Sequence, residues 1–107
     1  MHRKLGPGLL ESVYDACLCW ELEHDNLAFQ RQVPLPVIYE GVNLTCGYYA
    51  DIIVDQSVIV ELKSVERILP VHEAQMLTYL RLSGCRFGLL MNFYSVMLKD
   101  GLRRFIP

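Results

Sequence analysis

The stretch Ala50–Ser64, ADIIVDQSVIVELKS, limits the possible folds more than any other part of the chain. Two runs rich in Ile and Val flank the polar triplet Asp55-Gln56-Ser57. Runs of β-branched residues around a short polar break read as a β-hairpin. Its strands are expected over roughly Gly47–Val54 and Val58–Lys63. Yet Asp51, Glu61 and Lys63 sit inside these runs, where burial of charge is costly. Alternation along a strand puts Glu61 and Lys63 on one face. If Asp55-Gln56-Ser57 is a three-residue loop, Val54 lies opposite Val58 and Asp51 opposite Glu61. The two carboxylates then share a face, with Cβ atoms about 5 Å apart. A two-residue loop would send them to opposite faces.

Two carboxylates that close repel, and the pKa of one should rise. A divalent cation between them removes the conflict, and Mg2+ is commonly held by one or two carboxylates together with water and phosphate. Lys63, two residues on, stands where it can touch a phosphate or a water. A plainer reading is also open: a strand with one polar face in solvent, Asp51 and Glu61 as surface acids, and Lys63 as their ion-pair partner.

The rest of the chain supplies a frame. Gly6-Pro7-Gly8 opens a first helix, expected from about Pro7 to His24 on the spacing of Leu9, Leu10, Val13, Cys17 and Trp20, with Asp25-Asn26 as its stop. In FQRQVPLPVIYEG, Pro34 and Pro36 imply an edge or interrupted strand. Glu40-Gly41-Val42-Asn43 reads as a turn. Pro70 suits the first turn of a second helix, VHEAQMLTYLRLSG, ending at Gly84. On that helix His72, Gln75 and Tyr79 form one stripe, with Ala74, Met76 and Leu77 expected to pack inward. FGLLMNF reads as a buried strand, and Asp100-Gly101 as a hairpin turn in LKDGLRRFI. The order is helix, three strands, helix, two strands, with the helices packed on one sheet. Residues 1–107 are expected to form one domain.

Composition sets the class. The chain is 52% hydrophobic and 21% charged, which argues against disorder. No apolar run approaches the ~20 residues of a membrane helix. MHRKLGPG is not followed by the apolar segment and small-residue cleavage site of a secretory signal, so a cytoplasmic location is the expectation. Cys17, Cys19, Cys46 and Cys85 lack the paired spacing of zinc sites and read as reduced, largely buried thiols. A net charge of −2 argues against a strong nonspecific grip on nucleic acid, though Arg31, Arg67, Arg81, Arg86, Arg103 and Arg104 offer a local basic rim.

Asp51 followed by Glu61-x-Lys63 on the next strand resembles the core of the PD-(D/E)XK nuclease superfamily. With GLLESVY, whose spacing is G-x-x-E-x-x-Y, and with RQVPLPVIYEG, YADIIVD, VIVELKSVE, HEAQMLTYLR, GLLMNF and LKDGLRRFI in order, the chain resembles the GxxExxY protein family of that superfamily. Ala50 stands where the superfamily has a proline, and the resemblance implies more of the first helix before Leu5-Gly6-Pro7-Gly8 than the MHRK found here. The resemblance implies an α/β, restriction-endonuclease-like core, a mixed sheet flanked by helices in the order αβββαβ plus a C-terminal strand. It implies Asp51 and Glu61 as metal ligands, with Glu11 reaching the metal directly or through water. Lys63 would orient the attacking water, and Gln75 would lie near the site. The implied activity is Mg2+- or Mn2+-dependent hydrolysis of nucleic acid, with DNA as the expected substrate. Two other classes of function stay open: a binding module for nucleic acid or protein that turns over little, and a component that acts only as a homo-oligomer.

Overall fold

The computed structural model describes residues 9–44, 47–94 and 101–106. Helix α1 spans Glu11–His24, and strands β1 (Phe29–Pro34), β2 (Val37–Tyr39), β3 (Val42–Leu44), β4 (Tyr49–Val54) and β5 (Val58–Lys63) follow. Then come α2 (Pro70–Ser83), β6 (Phe87–Asn92) and β7 (Leu102–Phe105). Five strands form one mixed sheet in the order β1-β4-β5-β6-β7, and β2 and β3 make a separate ribbon. Among the described residues only the β5–β6 pairing is parallel, as a strand–helix–strand crossover requires. Among the described residues no helix is long and apolar enough to cross a membrane.

The central hairpin has the three-residue loop, with Val54 paired to Val58. Asp55 and Gln56 adopt left-handed φ of 52° and 54°, and the Ser57 N–H donates to the Val54 carbonyl. The tight reversal thus comes without glycine. The prolines act as expected: β1 is an edge strand and ends at Pro34. After it the chain leaves the sheet and makes β2, so one stretch feeds two sheets. The expected turn at Glu40–Asn43 is narrower. Only Glu40 and Gly41 turn, both with positive φ, while Val42 and Asn43 belong to β3. That is why five strands, not three, separate the helices.

The helices lie on opposite faces of the sheet. Ile52, Val60 and Leu62 pack with Tyr14 and Cys19 of α1. Ile53, Ile59 and Leu90 pack with Met76, Tyr79 and Leu80 of α2. The register of α1 corrects the sequence reading. Leu10, Val13 and Trp20 are exposed, and Tyr14, Asp15 and Cys19 are buried. The helix is apolar on several sides, so spacing alone did not select the face that meets the sheet. Its start also moves, to Glu11; residues 1–8 lie outside the described residues. At its end Asn26, with φ 58°, turns the chain as expected of Asp25-Asn26.

Helix α2 begins at Pro70 and closes on Gly84, whose φ of 73° is the left-handed cap. Ala74 and Leu77 are exposed, contrary to expectation, and Met76, Tyr79 and Leu80 face inward. A tight approach fixes that choice: a Cβ on Gly88 would lie 2.5 Å from Met76 Sδ. Asp100, in the expected second hairpin, lies outside the described residues, though β7 does pair antiparallel to β6.

Candidate active site

The β4–β5 ladder pairs Val54↔Val58, Ile53↔Ile59 and Ile52↔Val60. One residue further on, carboxylates make the cross-strand bonds. The Leu62 N–H donates to Asp51 Oδ2 at 2.9 Å, and the Asp51 N–H donates to Glu61 Oε1 at 3.3 Å. Meanwhile β5 stays paired with β6 through Lys63↔Asn92. The two acids therefore meet at one end of the hairpin.

Their environments differ. Asp51 is half-buried, but Glu61 is only 5% exposed. Burial, hydrogen bonding to the Asp51 carboxyl and the Asp51 charge together push Glu61 up to about 9; the Asp51 N–H and the Lys63 charge oppose this more weakly. Among the described residues the ion pairs are Asp15–Arg31 and Glu73–Arg103. Lys63 is thus near enough to be felt but is not the salt-bridge partner of either acid. The surface reading of the pair fails for Glu61, which solvent barely reaches.

Glu11 and Gln75 lie on the two helices that cover opposite faces of the sheet. Glu11, exposed at the start of α1, lines a cleft of about 250 Å³ with Ser12, Asp15, Arg31, Gln32, Asp51 and Leu62. Gln75 is half-buried on α2, one turn before Tyr79. Burial and then the charges of Glu61 and Asp51 raise the Tyr79 hydroxyl pKa, so this helix face looks toward the acids. Tyr48 meets Tyr79 edge-on at 5.9 Å, and Tyr14 stacks on Phe93 at 4.3 Å. His72 acts within its own helix turn, where its Nδ1 accepts the Leu69 N–H and caps α2.

The donor set fits a hard divalent cation. Two carboxyls lie within hydrogen-bonding reach, and Glu61 keeps its proton because burial, first, and then the neighbouring Asp51 carboxyl disfavour its charged form. Among the described residues no three His, Cys, Asp or Glu side chains cluster closely enough for a metal. Glu11 lines the same cleft as Asp51.

Sequence reasoning passed over two positions and gave a third only as part of a basic rim. Asn92 is buried; it accepts the Val65 and Tyr94 N–H groups and donates to the Val65 carbonyl, tying down the segment after Lys63. An amide inside the apolar run GLLMNF was the available signal. The others are Asp15, an acid among apolar helix residues, and its partner Arg31.

Comparison with curated proteins and with solved structures gives no significant match. A family model described as the PD-(D/E)XK nuclease superfamily matches residues 1–105. The five-stranded mixed sheet flanked by helices is the restriction-endonuclease-like arrangement. With the match spanning nearly the whole chain and the fold agreeing, the chain belongs to the PD-(D/E)XK nuclease superfamily.

Proposed function

We propose that this protein is a divalent-metal-dependent nuclease of the GxxExxY type, hydrolysing phosphodiester bonds in DNA, as a single domain in the cytoplasm. The observation that carries the reading is the meeting of the Asp51 and Glu61 carboxyls where the hairpin ladder gives way. Nucleases of this superfamily generally use divalent metal ions. Asp51 and Glu61 would hold the cation, Mg2+ or Mn2+, with Glu11 contributing through water. When bound, the cation supplies charge neutralisation at the phosphate and lowers the pKa of a water. Lys63, on the same strand face as Glu61, directs its ammonium to the attacking water and the phosphate. Gln75 helps orient that water from the α2 side.

A second reading, a binding module with little turnover, draws support from the net charge of −2. Exposed Leu10, Val13 and Trp20 support self-association through α1. The test is calorimetric titration with Mg2+ and Mn2+ of wild type, Asp51→Ala and Glu61→Gln, followed by incubation with single- and double-stranded DNA and RNA. The nuclease reading expects metal-dependent cleavage that both variants lose while staying folded. Cleavage that survives both substitutions overturns it, and nucleic-acid binding without cleavage favours the module. Light scattering reads the oligomeric state.

A further inference from the structure

Arg31 lies on β1, opposite Ile52 and therefore one residue from Asp51 on the neighbouring strand. Its Nε and Nη2 both donate to Asp15 Oδ1, at 3.0 and 2.6 Å. The Asp15 side chain is 10% exposed and the Arg31 side chain 52% exposed. A buried acid thus grips the Nε–Nη2 edge of a guanidinium that lines the cleft. Of five N–H donors, two are used; the pair on Nη1 and one on Nη2 stay available for the oxygens of a phosphate. Arg31 also brings positive charge to a cleft otherwise lined by Glu11, Asp15 and Asp51.

The backbone supports the same placement. Consecutive strand residues normally point to opposite faces, yet Arg31 and Gln32 both line this cleft. The break is at Gln32, which has a left-handed φ of 49°. The β1–β4 register pairs Arg31↔Ile52 and Val33↔Ala50 and skips Gln32 and Asp51 between them. A non-glycine residue held there costs on the order of 1 kcal/mol or more, and such strain gathers at functional clefts.

We propose that Arg31 binds a backbone phosphate of the nucleic acid in this cleft, beside the phosphate that meets the acid pair, and that Asp15 is its positioning residue. The inference rests on the nuclease reading for the position of the scissile phosphate. Its test does not require cleavage.

Binding of short single- and double-stranded DNA oligonucleotides is measured by fluorescence anisotropy in EDTA across a salt series. Arg31→Gln weakens binding roughly tenfold or more, and the slope of log K against log salt falls by about one. Arg31→Lys keeps the slope and binds several-fold more weakly than wild type, because the fixed fork is lost. Asp15→Asn also keeps the slope with a several-fold loss, the signature of positioning, since the cation remains. The double variant Asp15→Asn/Arg31→Gln leaves no buried charge unpaired, and it must repeat the slope change of Arg31→Gln in a folded protein. Metal titration of Arg31→Gln should match wild type. An unchanged slope in Arg31→Gln and in the double variant overturns the proposal, as does wild type that binds neither oligonucleotide. Arg31-dependent binding without metal-dependent cleavage would sustain this inference and sink the nuclease reading. Cleavage with an unchanged slope would do the reverse.

Discussion

The two ends of the β4–β5 hairpin are built differently. At the closed end the strands pair rung by rung from Val54↔Val58, and the loop is tied to its neighbours. The Asp55 N–H donates to the Ala28 carbonyl, and the Arg86 and Phe87 N–H groups converge on the Ser57 carbonyl. Fully buried Ile52 and Ile59 fill the two faces there. At the open end backbone rungs yield to Asp51 and Glu61, and one carboxyl keeps its proton against its usual chemistry. The contrast teaches that a single hairpin can be anchored by apolar burial at one end and hold unfavourable charge at the other. The anchor offsets the cost of a site that folding alone would not select.

The largest expected effect falls at the open end. Removing a carboxyl proposed to hold the cation, as in Asp51→Ala, should cost on the order of 10³-fold in metal-dependent cleavage, since such ions supply several kcal/mol of transition-state stabilisation. Single-turnover assays measure it. Stability should move with pH in the metal-free protein. Glu61 holds its proton to about pH 9 when folded but only to about 4.5, the ordinary value, when unfolded. Between those values the folded state binds more protons, so stability falls as pH rises, by up to about 1.4 kcal/mol per pH unit. Urea titrations should show this slope in wild type and a flatter one in Glu61→Gln. Calorimetry at neutral pH in buffers of different ionisation enthalpy should find about one proton released on metal binding. A flat pH profile in wild type would erase the distinction between the two ends.

The closed end should respond in stability alone. Ile59→Ala removes a fully buried side chain and should cost about 2–5 kcal/mol, with metal affinity unchanged in the folded fraction. Gly88 sits beside Ile59 in the sheet. Gly88→Ala should cost about 1–3 kcal/mol, because Met76 must move from a packed position. Denaturant midpoints test both. Smallest is His72→Ala, which removes the acceptor for the Leu69 N–H at the open end of α2. A loss of about 0.5–1 kcal/mol is expected, with the cleavage rate unchanged. A rate that falls with stability intact would give His72 a chemical role.

Several features were legible in the residues alone. The place of the reversal at Asp55-Gln56-Ser57 follows from where the Ile- and Val-rich runs stop, while the pairing of Val54 with Val58 chose the three-residue loop over the two-residue one. Pro70 and Gly84 delimit α2, and Pro34 confines β1 to an edge. Others were not. The buried face of α1 was misread, because Leu10, Val13 and Trp20 are as apolar as the residues that pack. The bond between Asp15 and Arg31 joins residues far apart in the chain, and the partners of the Asn92 amide lie on the segment after Lys63, also distant in the chain.

What the sequence determined by itself is the local grammar: where strands reverse, where helices begin and end, and which charges interrupt an apolar run. Those signals depend on neighbours a few residues away, through turn geometry and side-chain periodicity. Only the tertiary structure decided which helix face is covered, that Glu61 is sealed from water while Asp51 opens into a cleft, and that Arg31 is held at that cleft's edge. Each of these depends on which distant surface excludes water from a group, and burial of that kind is a property of the assembled layers.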